Sequence, residues 1–143
     1  MTSDLRTQLV AVSLAWEQRF GVAPAITGAI SEHDAAQLVG HTSDAYGAGC
    51  VGRSAVTRGH DFTCGGLRYQ VKANRPSGRP GSAVTLVARA RNYEWDRLIW
   101  LLYDRGYVVQ EAWEWPVDTY RAAFERRARL SPRDMRGGRR LYP

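Results

Sequence analysis

HDFTCGGLRYQVKA, residues 60–73, is the stretch from which the fold of this chain is read. Gly65 and Gly66 can take the positive φ angles of a two-residue hairpin turn, and alternating side chains flank them on both sides. With those two glycines in the turn the register follows: Cys64 faces Leu67, Thr63 faces Arg68, Phe62 faces Tyr69 and Asp61 faces Gln70. Because strand side chains alternate, Phe62, Cys64, Leu67, Tyr69 and Val71 share an apolar face, whereas Asp61, Thr63, Arg68, Gln70 and Lys72 share a polar one. Opposed residues have Cβ atoms roughly 4.5–5.5 Å apart, so Asp61 and Gln70 can aim oxygens at one point, with the Lys72 ammonium next along the face.

An acid, a neutral oxygen donor and an ammonium form a set that suits a hard cation. Mg²⁺ takes oxygen ligands, keeps several waters and is commonly held by one or two carboxylates plus the phosphate oxygens of a substrate. Lysine, a compact cation whose proton affinity moves with its surroundings, can orient an attacking water or stabilise charge developing on phosphoryl oxygens. In outline this is metal-assisted phosphodiester hydrolysis. The same residues also suit the solvated face of an edge hairpin, where Asp61 and Lys72 serve solubility alone.

Outward from the hairpin, Thr2 and Ser3 offer caps for a helix over about residues 4–19, with an apolar stripe of Leu5, Leu9, Val12 and Trp16 and a stop at Gly21. ITGAISEHDAAQLVG (26–40) predicts a second helix with Ile30, Ala35, Leu38 and Val39 on its apolar side and Glu32 near its start. Residues 41–58 carry three glycines and no sustained period, which reads as a loop. NRPSGRPGS (74–82) is a Pro/Gly/Arg loop, and VTLVARARNYEWD (84–96) fits either a strand or a helical turn. RLIWLLYD, Arg105-Gly106 and YVVQEAWEW predict a second hairpin, whose first strand is apolar on both faces and therefore central. VDTYRAAFERRAR (117–129) reads as a helix with Tyr120 and Phe124 inward. The expected fold is α/β (α+β): one domain over residues 1–130, a central mixed sheet built from two hairpins with flanking helices, then an Arg/Gly-rich tail over 131–143.

Asp61, eight intervening residues, then Gln70-Val71-Lys72 resembles the Asp…(Asp/Glu/Gln)-x-Lys signature of the PD-(D/E)xK nuclease superfamily, the restriction-endonuclease-like fold shared with Holliday-junction resolvases. Helix SEHDAAQLVG with Glu32 resembles the Glu-bearing helix that precedes the hairpin in that superfamily, and the second hairpin ending at Trp115-Pro116 resembles the downstream part of small bacterial members. The likeness spans roughly residues 25–130. It implies Asp61 as principal metal ligand, Gln70 as second ligand or positioner of metal-bound water, the Val71 carbonyl as a further ligand, Lys72 as catalytic lysine and Glu32 as a ligand directly or through water. It also implies Mg²⁺, with Mn²⁺ as substitute, no organic cofactor, and 5′-phosphate and 3′-hydroxyl products from DNA. Two departures stand out. His60 replaces the proline, and Gln70 replaces the usual acid, which removes one negative charge from the metal site. A catalytically silent relative that binds DNA or a protein is the alternative reading.

The charge balance agrees with a polyanionic partner. Twenty basic residues against 14 acidic give +6 among 143 residues, and every cation is Arg except Lys72. The lone lysine stands where the chemistry calls for one. Arg53, Arg58, Arg68, Arg75 and Arg79, around the hairpin, are the expected DNA contacts, and the C-terminal arginines would add salt-sensitive affinity. Arginine excess from coding bias in an interaction module is the remaining possibility. No apolar run is long enough to span a bilayer and the N-terminus has no apolar signal region, so a cytoplasmic protein with no membrane partner is expected, dimeric if it cuts both DNA strands. Cys50 and Cys64 are read as reduced thiols, and His33, His41 and His60 lack zinc-ligand spacing.

Overall fold

A computed structural model describes residues 4–41, 59–76 and 81–143. The chain forms helices α1 (Leu5–Phe20) and α2 (Thr27–Leu38), strands β1 (Phe62–Cys64), β2 (Leu67–Asn74), β3 (Arg97–Tyr103) and β4 (Val109–Pro116), helices α3 (Val117–Phe124) and α4 (Pro132–Met135), and strand β5 (Arg139–Tyr142). The architecture is α+β: a five-stranded mixed sheet in the order β1-β2-β3-β4-β5, with helices against it. All neighbouring strands are antiparallel except β2 and β3, which run parallel with Gln70 beside Leu98 and Lys72 beside Trp100. The turn glycines take φ of +59° at Gly65 and +80° at Gly66, and β1–β2 has the register they dictate, Phe62↔Tyr69, Thr63↔Arg68 and Cys64↔Leu67.

β3 lies in the middle of the sheet, and its alternate residues feed two cores. Ile99, Leu101 and Tyr103 join Phe62, Tyr69 and Val71 under Ile30, Ala35 and Ala36 of α2. On the other face Leu98 and Trp100 pack with Trp95, Trp115, Tyr120, Phe124 and Met135. Edge-on ring contacts link Trp115 to Tyr120 and Phe124, and Trp95, Trp100 and Trp115 are buried core residues. A parallel pair needs a crossover. Here residues 81–96 supply much of it as irregular chain rather than as the strand or helical turn considered above; its one pairing is the bridge Val87↔Leu130. Asn74 clamps this crossover to β2, donating from Nδ2 to the Leu86 carbonyl (3.0 Å) and accepting from Trp100 Nε1 (2.9 Å).

Three sequence expectations change. The second hairpin forms, but Asp104–Val108 makes a longer loop than Arg105-Gly106, because the Asp104 carboxylate accepts from the Gly106 and Val108 amides and Tyr107 takes a positive φ of 62°. Residues 131–143 are not an unanchored tail: Ser131 and Asp134 form a capping box, Pro132 and Met135 are buried, and β5 extends the sheet along β4. The apolar stripe of α1 faces solvent. That helix docks through its other side, where Val10 and Leu14 pack on the core and polar links add to them: Arg6 donates to both oxygens of buried Asp34 (2.6 and 2.7 Å), Ser13 lies beside the Tyr107 hydroxyl (3.4 Å) and Glu17 pairs with Arg75 (2.9 Å). Asp34 also accepts from the Tyr103 hydroxyl at 2.7 Å, and burial followed by that carboxylate pushes the phenol far above its ordinary range.

Candidate active site on the open edge of β2

β1 is short, and its end creates the site. The ladder stops at Phe62↔Tyr69, one pair before Asp61 would oppose Gln70. Asp61 bends away there: its amide still donates to the Tyr69 carbonyl (2.8 Å), and its Oδ2 accepts the Val71 amide at 2.7 Å in place of a strand carbonyl. The N–H and C=O of a strand residue point to the same side. The Val71 carbonyl therefore lies on the β1 side of β2, beyond the last β1 pair and next to the Asp61 carboxylate. Gln70 and Lys72 point from the sheet face opposite α2, since their neighbours Leu98 and Trp100 belong to the second core.

Lys72 is half-buried, and its surroundings pull its proton affinity two ways. Desolvation is the larger influence and lowers its pKa below the ordinary lysine range; Asp61 opposes that by attraction, and Arg91 adds to it by repulsion. Asp61, Lys72 and Arg91 therefore share one electrostatic neighbourhood. Arg91, exposed on the crossover, is a residue the sequence reading did not single out, because it is distant in the chain and no spacing links it to the hairpin. The Asn74 clamp is the local structure that holds the crossover beside this row of β2.

The remaining expected site residues fall elsewhere. Glu32 is half-buried on α2, the helix that covers the opposite sheet face from Gln70 and Lys72. Arg68 spends its guanidinium on Asp96 (3.2 and 3.3 Å), while its own amide donates to the same carboxylate at 2.7 Å, so it closes the β2–β3 end rather than reaching outward. Arg75 was expected to meet phosphate. Its side chain is instead 8% exposed, bonded to Glu17 and the Arg105 carbonyl and stacked 4.3 Å from the Tyr107 ring centroid. Arg53, Arg58, Arg79 and Cys50 lie outside the described residues. His60 bonds the hydroxyl of Thr63 in β1 (3.2 Å), His33 pairs with Asp34 and His41 stacks on Phe62, so these imidazoles are dispersed.

The edge carries one carboxylate and one backbone carbonyl whose direction the ladder fixes, oxygen donors of the kind a hard divalent cation takes, and Gln70 stands on the adjoining sheet face. This is a weakly charged set, with one formal negative charge. A cleft of about 960 Å³ lies apart from it, between α1 and the end of β2; Glu17, Arg75 and Arg105 are its charged lining residues, and the first two are paired with each other. No protein-family model and no curated protein matches this chain. No helix among the described residues is long and apolar enough to cross a membrane.

Proposed function

We propose that this chain is a metal-dependent DNA endonuclease of PD-(D/E)xK type, with its site on the open edge of β2. The observation that carries the reading is the juxtaposition of the Asp61 carboxylate, the outward Val71 carbonyl and a half-buried Lys72 electrostatically coupled to Asp61. Asp61 and the Val71 carbonyl would hold Mg²⁺ or Mn²⁺, with Gln70 on the metal or on one of its waters. The cation would supply Lewis acidity at a phosphoryl oxygen and lower the pKa of a bound water.

The chain's own residues do the rest. The Asp61 carboxylate is held by the Val71 amide and needs no reorganisation. Lys72, partly desolvated, places a positive charge where water oxygen attacks phosphorus and equatorial charge builds. The P–O3′ bond then breaks, leaving a 5′-phosphate and, once the departing oxygen takes a proton, a 3′-hydroxyl. Arg91 adds charge at the same face, and the exposed Arg126, Arg129 and Arg133 supply sequence-independent phosphate affinity that falls as salt rises.

The test is plasmid nicking with Mg²⁺ or Mn²⁺. Wild type should convert supercoiled plasmid to the open circle, a chelator should stop it, and Lys72→Ala should slow it by about 10²-fold or more. Equal trace cleavage by wild type and Lys72→Ala would sink the catalytic reading. A silent DNA binder is favoured by one observation, the neutral Gln70 in the place where the signature carries a second acid. That reading predicts no cleavage and DNA retention unaffected by chelator.

A further inference from the structure

Among the described residues, nothing covers the exposed stripe of α1, and it takes no part in the Asp61 edge. Leu5 is 81% exposed, Val12 63%, Phe20 57%, Trp16 51% and Leu9 39%. These five recur every three or four residues, so they line one side of the helix as a coiled-coil seam does. Trp16 and Phe20 lie with ring centroids 4.6 Å apart, forming an apolar ledge over the last turns. The helix keeps this seam in solvent because its other side, through Val10, Leu14, Arg6, Ser13 and Glu17, already anchors it to the domain.

We propose that α1 pairs antiparallel with α1 of a second copy of this chain, about a twofold axis at Val12. In that register Val12 meets itself, Leu5 of one copy lies within one residue of the level of Phe20 of the other, and Leu9 within one residue of Trp16, so bulky and smaller side chains alternate along the seam. Charge selects the direction. Arg6 and Glu17 are paired with Asp34 and Arg75; the other charges of the helix are Asp4, which caps the first turn through Thr7, and Arg19 in the last turn, whose guanidinium lies over its own Phe20 ring (5.1 Å). An antiparallel pair sets Asp4 of one copy near Arg19 of the other and opposes the helix dipoles; a parallel pair sets like charges together. Free aromatic side chains carry 150–250 Å² each, so the half-exposed pair and the three aliphatics offer roughly 500 Å² per chain. Two copies bury on the order of 1,000 Å², the low end of specific interfaces, where association is weak and depends on concentration. The pairing is independent of any chemistry at Asp61.

Sedimentation velocity of the full chain tests it. From about 1 to 100 µM, wild type should shift from one-chain to two-chain mass, and Val12→Glu, which sets two carboxylates face to face on the axis, should weaken that association by at least about tenfold. Val12 is exposed, so Val12→Glu should keep the wild-type circular dichroism and melting curve at 1 µM, which separates lost pairing from lost folding. For direction, singly substituted Leu5→Cys and Phe20→Cys chains are mixed and treated with a short bis-maleimide, with wild type as the thiol background. The mixed cross-link should dominate. Wild type that stays monomeric at the highest concentration, a dimer that Val12→Glu leaves intact, or like-with-like cross-links in excess would each overturn the proposal.

Discussion

Replacing Arg75 distinguishes a buried staple from a phosphate contact. Its guanidinium makes paired bonds to Glu17, further bonds to the Arg105 carbonyl and a stacking contact on Tyr107, joining α1, the end of β2 and the β3–β4 loop. Removing one partner of a buried ion pair costs about 3–5 kcal/mol; Glu17 is 23% exposed and regains some water, so Arg75→Ala should cost about 3 kcal/mol. Unfolding entropy near 2.1 cal/mol/K per residue turns that into a fall in Tm of about 10 °C for a chain of this length. The loss should also depend on pH. The Arg75 hydrogen bonds hold the Glu17 carboxyl below its ordinary value, so the pair's contribution is fully present above the unfolded glutamate pKa and disappears as pH falls through the lowered one. Melting curves of wild type and Arg75→Ala should therefore lie far apart at pH 7 and converge in acid. A variant that melts within about 2 °C of wild type at pH 7 yet loses DNA retention would refute the staple and restore the phosphate role.

Gly138→Ala should destabilise by about 2–3 kcal/mol, because the new Cβ would sit 2.6 Å from the Glu114 carbonyl oxygen and from Trp115 Nε1; chemical denaturation reads this, and a change under 0.5 kcal/mol would mean that β5 does not dock as described. Asp34→Ala strands Arg6 and the Tyr103 hydroxyl and should cost about 3 kcal/mol, with hydrogen exchange showing earlier loss of protection in α1 than in β3. Lys72→Arg keeps the charge but brings a planar group that cannot deprotonate, so nicking should fall about 10²-fold with DNA retention unchanged; full activity would remove Lys72 from the chemistry. As an ammonium with a lowered pKa, Lys72 should give nicking an alkaline limb below the ordinary lysine range, and Asp61→Asn, which removes the attraction that raises it, should lower that pKa further, as read by amine titration.

Local signals carried the parts of the fold that were legible beforehand. Gly65-Gly66 sets the register of β1–β2, and the unbroken apolar run of β3 marks the middle of the sheet, because both depend on neighbours in sequence. The alternation that set Gln70 and Lys72 on one face held for the same reason. What the chain could not announce was tertiary. Arg68 and Arg75 look like any loop-flanking arginines until Asp96 and Glu17, distant in sequence, arrive beside them. The α1 stripe obeys helical periodicity, but periodicity says only that a face is apolar, not what covers it. Ser131-Pro132 with Asp134 was a readable helix start in a stretch whose arginines and glycines suggested a tail. The early end of β1, which turns Asp61 onto the Val71 amide, has no signature in the alternating pattern.

The central claim is that Asp61 and the Val71 carbonyl make a cation site beside Lys72. Anomalous diffraction from a crystal soaked in Mn²⁺ tests it directly. The account predicts a peak bound by Asp61 and the Val71 carbonyl, with the Lys72 ammonium close by, and no such peak in Asp61→Asn. A fully occupied Mn²⁺ elsewhere on the chain, with this edge empty, would contradict it.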